Sequence, residues 1–162
     1  MKVEIYKAAN AQTLFACEAM LGNVSSDGKK YDRVNLVIVL KDGQNKALKT
    51  MRYYLDIPAA KVLCSDLWQG KLHEEYSEFK KTDKAERALN FSPLKEGGYR
   101  VTIMNSNSDG SRDRLYFPLS TLQARQMAIS VLDYLRVQEL AGALATLMQN
   151  GVVTPIRNKD NE

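Results

Sequence analysis

Histidine occurs once in this chain and cysteine twice, which closes most routes to a metal site. His73 stands in GKLHEEYSEF with no cysteine near it, so the common zinc ligand sets cannot form. Cys17 and Cys64 are too far apart for a CxxC pair and too few for a disulfide framework. Both are expected as buried thiols, which points to a cytosolic compartment. No run approaches the roughly 20 apolar residues of a membrane helix, and MKVEIYKAAN lacks the apolar centre of a secretory leader. Glycine forms no phosphate-cradling loop: KDGQNK comes nearest and has the wrong spacing. No serine stands in a GxSxG elbow. His73 with Glu74 and Glu75 is the one acid–base grouping, and it falls in a polar linker. Neither a cofactor nor a catalytic role is expected, so function has to be argued from architecture and surface.

What is present is an ordinary globular composition, 44% apolar and 26% charged, with a formal net charge of +4. That mild basicity is compatible with nucleic acid without requiring it. KVEIYKA, TLFACEAMLGNV, RVNLVIVLK and LKTMRYYL read as four strands, separated by ANAQ, SSDGKK and DGQN. Asp56 then offers an N-cap and Pro58 a helical first turn, and the helix runs to about Gln69, where Gly70 closes it. The pattern restarts with EEYSEFKK, ERALNFS, GYRVTIMN and RLYFPLS. Ser120 or Thr121 caps a long second helix that ends near Asn150 and Gly151. The spacing predicts an α+β protein of two ββββα repeats, about 2–70 and 71–150. One domain over 1–155 and a disordered tail over 156–162 are expected.

Sliding the chain by 64 superimposes Leu55 on Leu119, Asp56 on Ser120, Ala60 on Ala124 and Leu67 on Val131. Continued back without a gap, the same shift puts Val37 on Val101 and Val39 on Ile103. Side chains alternate along a strand. Met51, Tyr53 and Leu55 therefore share an apolar face, as do Leu115, Phe117 and Leu119, and each face is expected to pack on a helix. The opposite faces carry Arg52 and Tyr54 in the first copy, Arg114 and Tyr116 in the second. Arginine neutralises phosphate and stacks on bases, and tyrosine offers a flat platform to an unpaired base. Lys41, Lys46 and Lys49 around the first hairpin, with Arg100 and Arg112 around the second, would guide a nucleic-acid backbone. Asp42, Asp109 and Asp113 dilute this charge.

Self-association is expected on two grounds. Leu36, Ile38 and Leu40 alternate with Val37 and Val39, so the third strand is apolar on both faces and needs a cover on each. The last helix outruns its mate, and VQELAGALATLMQ places Leu140, Ala141, Leu144, Leu147 and Met148 along one stripe within 137–148. Either feature suits a dimer or tetramer.

Two ββββα units with each helix entered directly from the fourth strand resemble the Whirly proteins, the Pur-alpha repeats and their single-repeat coactivator relatives. The resemblance covers about residues 2–150 and is carried by MRYYLDIPAAKVLCSDLW and DRLYFPLSTLQARQMAISVLDYL. It implies binding of single-stranded DNA or RNA across sheet faces and edges, and assembly through the helices. The lysine-rich Whirly signature and the Gly-Arg-rich Pur-alpha strand are absent, so the candidate residues rest on strand faces alone. Two readings stay open: a sequence-tolerant binder of single strands, DNA ahead of RNA, or a protein–protein module that binds no nucleic acid.

Overall fold

The computed structural model describes residues 2–24, 28, 30–81, 85–107 and 109–151. β1 (Lys2–Ala9), β2 (Thr13–Val24), β3 (Lys30–Lys41) and β4 (Ala47–Asp56) form one antiparallel sheet in sequence order, followed by α1 (Ile57–Gln69). β5 (Tyr76–Lys81), β6 (Ala85–Pro93), β7 (Tyr99–Asn107) and β8 (Arg112–Leu119) form a second sheet in the same order, followed by α2 (Thr121–Gln149). The α+β arrangement of two ββββα units is therefore observed. The tail expected over 156–162 lies outside the described residues.

Alternation decides which side of each sheet is buried. Met51, Tyr53 and Leu55 of β4 and Leu115, Phe117 and Leu119 of β8 are all buried, while Arg52, Arg114, Tyr116 and Pro118 between them are exposed. The inner faces meet in one core, where Phe15 and Phe117 stack at 5.8 Å between ring centroids. α1 adds Ala60, Leu63, Cys64 and Leu67, and α2 adds Ala124, Met127, Ala128, Val131 and Leu135. Each large apolar side chain removed from water in this way contributes roughly 1.5–3 kcal/mol.

The strand-to-helix junctions differ in their caps. Ser120 caps α2 with a reciprocal box: its Oγ accepts from the Gln123 amide at 3.1 Å, and the Ser120 amide donates to Gln123 Oε1 at 3.0 Å. Asp56 occupies the N-cap position of α1 but its carboxylate caps nothing. Two cations claim it instead, Lys80 Nζ at 3.2 Å and Arg33 Nε at 3.5 Å. Gly98 lies against the β8–α2 junction at φ 85°, and a Cβ there would come within 2.2 Å of the Leu119 carbonyl oxygen. Only glycine satisfies both the backbone angle and the approach.

Two expectations about β3 are overturned. Leu36 and Ile38 do not form an association face: they are 2% and 0% exposed within the protein's own core, with Leu40 half-buried against it. The ungapped repeat fails at the same place. In the first hairpin Leu40 pairs with Lys49 but Lys41 pairs with Ala47, so Leu48 is left over as a bulge. The second hairpin pairs without such a shift. One extra residue reverses every side chain beyond it. Ile38, opposite Met51, is the counterpart of Ile103, opposite Leu115, and Asn35 rather than Leu36 corresponds to Arg100. Val37 and Val39 are the residues that face outward.

Candidate nucleic-acid interface

The outer face of the second sheet is built from three rows that cross all four strands and a shorter fourth. Ser77, Asn90, Thr102 and Tyr116 form one row, and Phe79, Ala88, Met104 and Arg114 the next. Lys81, Glu86, Ser106 and Arg112 follow toward the hairpin tips. Ser92 and Arg100 pair on the other side of the tyrosine row. Two adjoining cavities open on this face. One, of about 350 Å³, is lined by Glu75, Asn90, Ser92, Arg100, Thr102, Met104, Arg114 and Tyr116. The other, of about 530 Å³, takes Phe79, Glu86, Ala88, Met104, Arg112 and Arg114 among its walls. Met104 and Arg114 line both, so the two make one groove. Tyr116 is 53% exposed at one end and Phe79 59% exposed at the other. The Arg100 guanidinium lies 5.6 Å from the Tyr116 ring centre, a cation–π contact that steadies the ring.

Glu75 closes the wall of the smaller cavity. Its carboxylate accepts from Ser92 Oγ at 2.6 Å, Ser77 Oγ at 3.0 Å and Asn90 Nδ2 at 3.3 Å. The hydroxyls of Ser92 and Ser77 hold the carboxyl below its ordinary range, so it stays charged.

The outer face of the first sheet is arranged differently. Lys7, Ala16, Val37 and Arg52 form one row, with cations at the two edges and buried aliphatic side chains between them. In the next row Glu4, Glu18 and Asn35 lead to Tyr54. Glu18 is already satisfied, since it accepts from Asn35 Nδ2 at 2.5 Å and pairs with Lys2 Nζ at 2.7 Å. Asn35 is 1% exposed.

This topology has counterparts among known structures. WHY3 from Arabidopsis thaliana superposes with a TM-score of 0.72 at 12% identity, covering 94% of this chain and 97% of that one. WHY1 from the same plant gives 0.72 at 12%, covering 98% and 97%. The fold is Whirly-like. The plant transcriptional regulator PBF-2 agrees, with a TM-score of 0.67 at 13% identity over 92% of this chain and 87% of that one. No protein-family profile and no curated protein matches the chain in sequence.

Within this Whirly-like frame the nine expected residues are dispersed. Arg100, Arg112, Arg114 and Tyr116 come together along the groove of the second sheet. Arg52 is exposed on the first sheet. Tyr54 turns toward a separate cleft of about 440 Å³ at the junction of the sheets, shared with Arg33, Tyr53, Lys80, Lys81 and Arg87. Lys41 spans two turns, its Nζ donating to the Asn10 carbonyl at 3.1 Å and to Asn45 Oδ1 at 3.4 Å. Lys46 is exposed at the hairpin tip. Lys49 continues the inner side of β4 and is held by Asp113 of β8.

The groove also contains what strand faces alone did not reveal: Phe79, Glu75, Asn90 and Ser92. Alternation in YSEFKK sets Phe79 opposite the inward Tyr76, which was a usable signal. The position of Glu75 depends on the β5–β6 register and had none. The two thiols take no part. Burial pushes Cys64 up to about 12 and Cys17 well above its ordinary value, so neither is available as a nucleophile. Among the described residues no helix is long and apolar enough to cross a membrane.

Proposed function

We propose that the chain binds single-stranded nucleic acid along the groove of the second sheet, DNA ahead of RNA, with little dependence on sequence. The observation that carries this reading is the groove itself: Tyr116 and Phe79 exposed at its two ends, with Arg112 and Arg114 along its β8 edge. Unpaired bases stack on such rings for about 1–3 kcal/mol each, and the arginines along the β8 edge meet the phosphates. Duplex DNA keeps its bases stacked internally and offers nothing to the rings. The likeness of fold to a plant transcriptional regulator supports DNA as the ligand. Arg52, Tyr54, Lys41 and Lys46 extend the basic surface onto the first sheet.

The partner assigned to α2 is a second copy of the chain. Every residue from 136 to 150 is exposed, among them Val137, Leu140, Leu144, Leu147 and Met148. An apolar stripe of that length is buried in an assembled protein rather than left in water.

A fluorescence titration with single- and double-stranded DNA and RNA tests the reading, run across a salt series. Single strands should bind and duplexes should not. The logarithm of affinity should fall with that of salt by about 0.7 per phosphate neutralised. Absence of binding at ~50 mM salt, where phosphate contacts are strongest, ends the proposal.

A further inference from the structure

The smaller cavity is not a neutral platform. Its two cations belong to the Tyr116 side, Arg100 against the ring and Arg114 two residues along β8. The opposite wall, of Glu75, Ser92 and Asn90, is biased toward hydrogen-bond acceptors, and Glu75 makes it so. An ionised carboxylate only accepts. The Ser92 hydroxyl hydrogen and one Asn90 amide hydrogen are therefore committed to Glu75. The same bond fixes the Asn90 amide, leaving its Oδ1, one amide hydrogen and the Ser92 lone pairs free, so acceptors outnumber donors on this wall. Both residues line the cavity that Tyr116 also lines, two strands across the sheet from it, and Glu75 itself stands at the wall.

We infer that a base stacked on Tyr116 is read at its edge by this acceptor floor, which favours bases bearing an exocyclic amino group over uracil and thymine. The inference rests on the nucleic-acid reading above. Cytosine extends a 4-amino group, a donor, where uracil extends a 4-carbonyl, an acceptor that the floor repels. The single imino hydrogen of uracil is recessed between two carbonyls and reaches the floor less well. The two rings present nearly the same area to Tyr116, so the contrast between them falls mainly on the edge. The preference is thus confined to one cavity, while the rest of the groove stays indifferent to sequence. The low-lying carboxyl of Glu75 keeps the floor in this state throughout the neutral range.

The test compares oligo-dC with oligo-dU of equal length at neutral pH, which isolates the amino-for-carbonyl exchange. Wild type should prefer dC by about tenfold, the lower part of what one base-edge contact contributes. In Glu75→Gln an amide hydrogen faces one of the bonded groups, so the floor becomes mixed. The preference should then fall to about onefold, mostly through tighter binding of dU once a negative charge is gone. Ser92→Ala should weaken dC and leave dU unchanged. Glu75 and Ser92 lie outside the core, and unchanged thermal melts of both variants would establish that the fold is intact. Equal wild-type affinity for dC and dU overturns this inference alone, as does a preference that survives Glu75→Gln. Failure of both oligonucleotides to bind wild type removes the nucleic-acid reading itself, and this inference with it.

Discussion

The two outer faces are made by the same four-strand order, yet one is closed and the other open. On the first sheet a carboxylate at the centre, Glu18, is buried and consumed by Asn35 and Lys2. The strip beside it is aliphatic, with Ala16 and Val37 buried. On the second sheet the carboxylate stands at the rim, and the centre is a groove with two exposed rings. A repeated scaffold thus supplies two surfaces, one filled by a paired carboxylate and an aliphatic strip, the other left with a groove. Burying a charge requires that it be fully paired, and a fully paired group has no capacity left for an incoming molecule.

The largest expected effect lies in what the two faces share. Phe15→Ala and Phe117→Ala each remove one ring of the stack between the sheets and should each lower stability by about 3–5 kcal/mol in urea unfolding. Unequal losses would mean that the two halves differ in their core as well as at their surface. Next comes the contrast between the faces. Arg114→Ala with Tyr116→Ala should reduce single-strand affinity by roughly 10- to 100-fold, since a stacking platform and a phosphate contact go together. The matching pair Arg52→Ala with Tyr54→Ala should cost roughly threefold or less by the same titration, because stacking there is not supported by a groove. Equal losses would erase the distinction between open and closed faces.

Smaller again is the effect of deleting Leu48. This makes the first hairpin like the second, so the fold and inner faces should persist with a change in stability within about 1 kcal/mol, followed by thermal melting. Loss of folding would show that the bulge sets the register. The smallest is Lys49→Met, which removes a half-exposed ion pair and should alter stability by about 0–1 kcal/mol in urea, less as salt is added.

The inner faces were legible because alternation needs only a strand to be recognised. Met51, Tyr53 and Leu55, with their counterparts in β8, are buried as the spacing implied. The strand-to-helix junctions were legible for a similar reason, since caps and glycines act within a few residues. The third strand was misread because LVIVL, residues 36–40, is apolar at every position and carries no phase of its own. Asn35, on the outer side with Val37 and Val39, held the phase, and one bulged residue at Leu48 inverted the assignment of Leu36 and Ile38 when the copies were aligned without a gap. The groove was half legible. Arg114 and Tyr116 follow from alternation, but Glu75 reaches the cavity only through bonds to Ser77, Asn90 and Ser92, whose alignment depends on pairing between strands.

Lys49 and Asp113 occupy equivalent positions in the two copies, and they bond to each other across the sheets. Equivalent positions can touch only near an axis that exchanges the copies. In an assembly of identical units such an axis brings each residue against itself, and a lysine there would face a lysine. Opposite charges at this point are open only to copies that differ in sequence. The pair makes the joined halves complementary to one another here and leaves either half poorly suited to meet itself at this point.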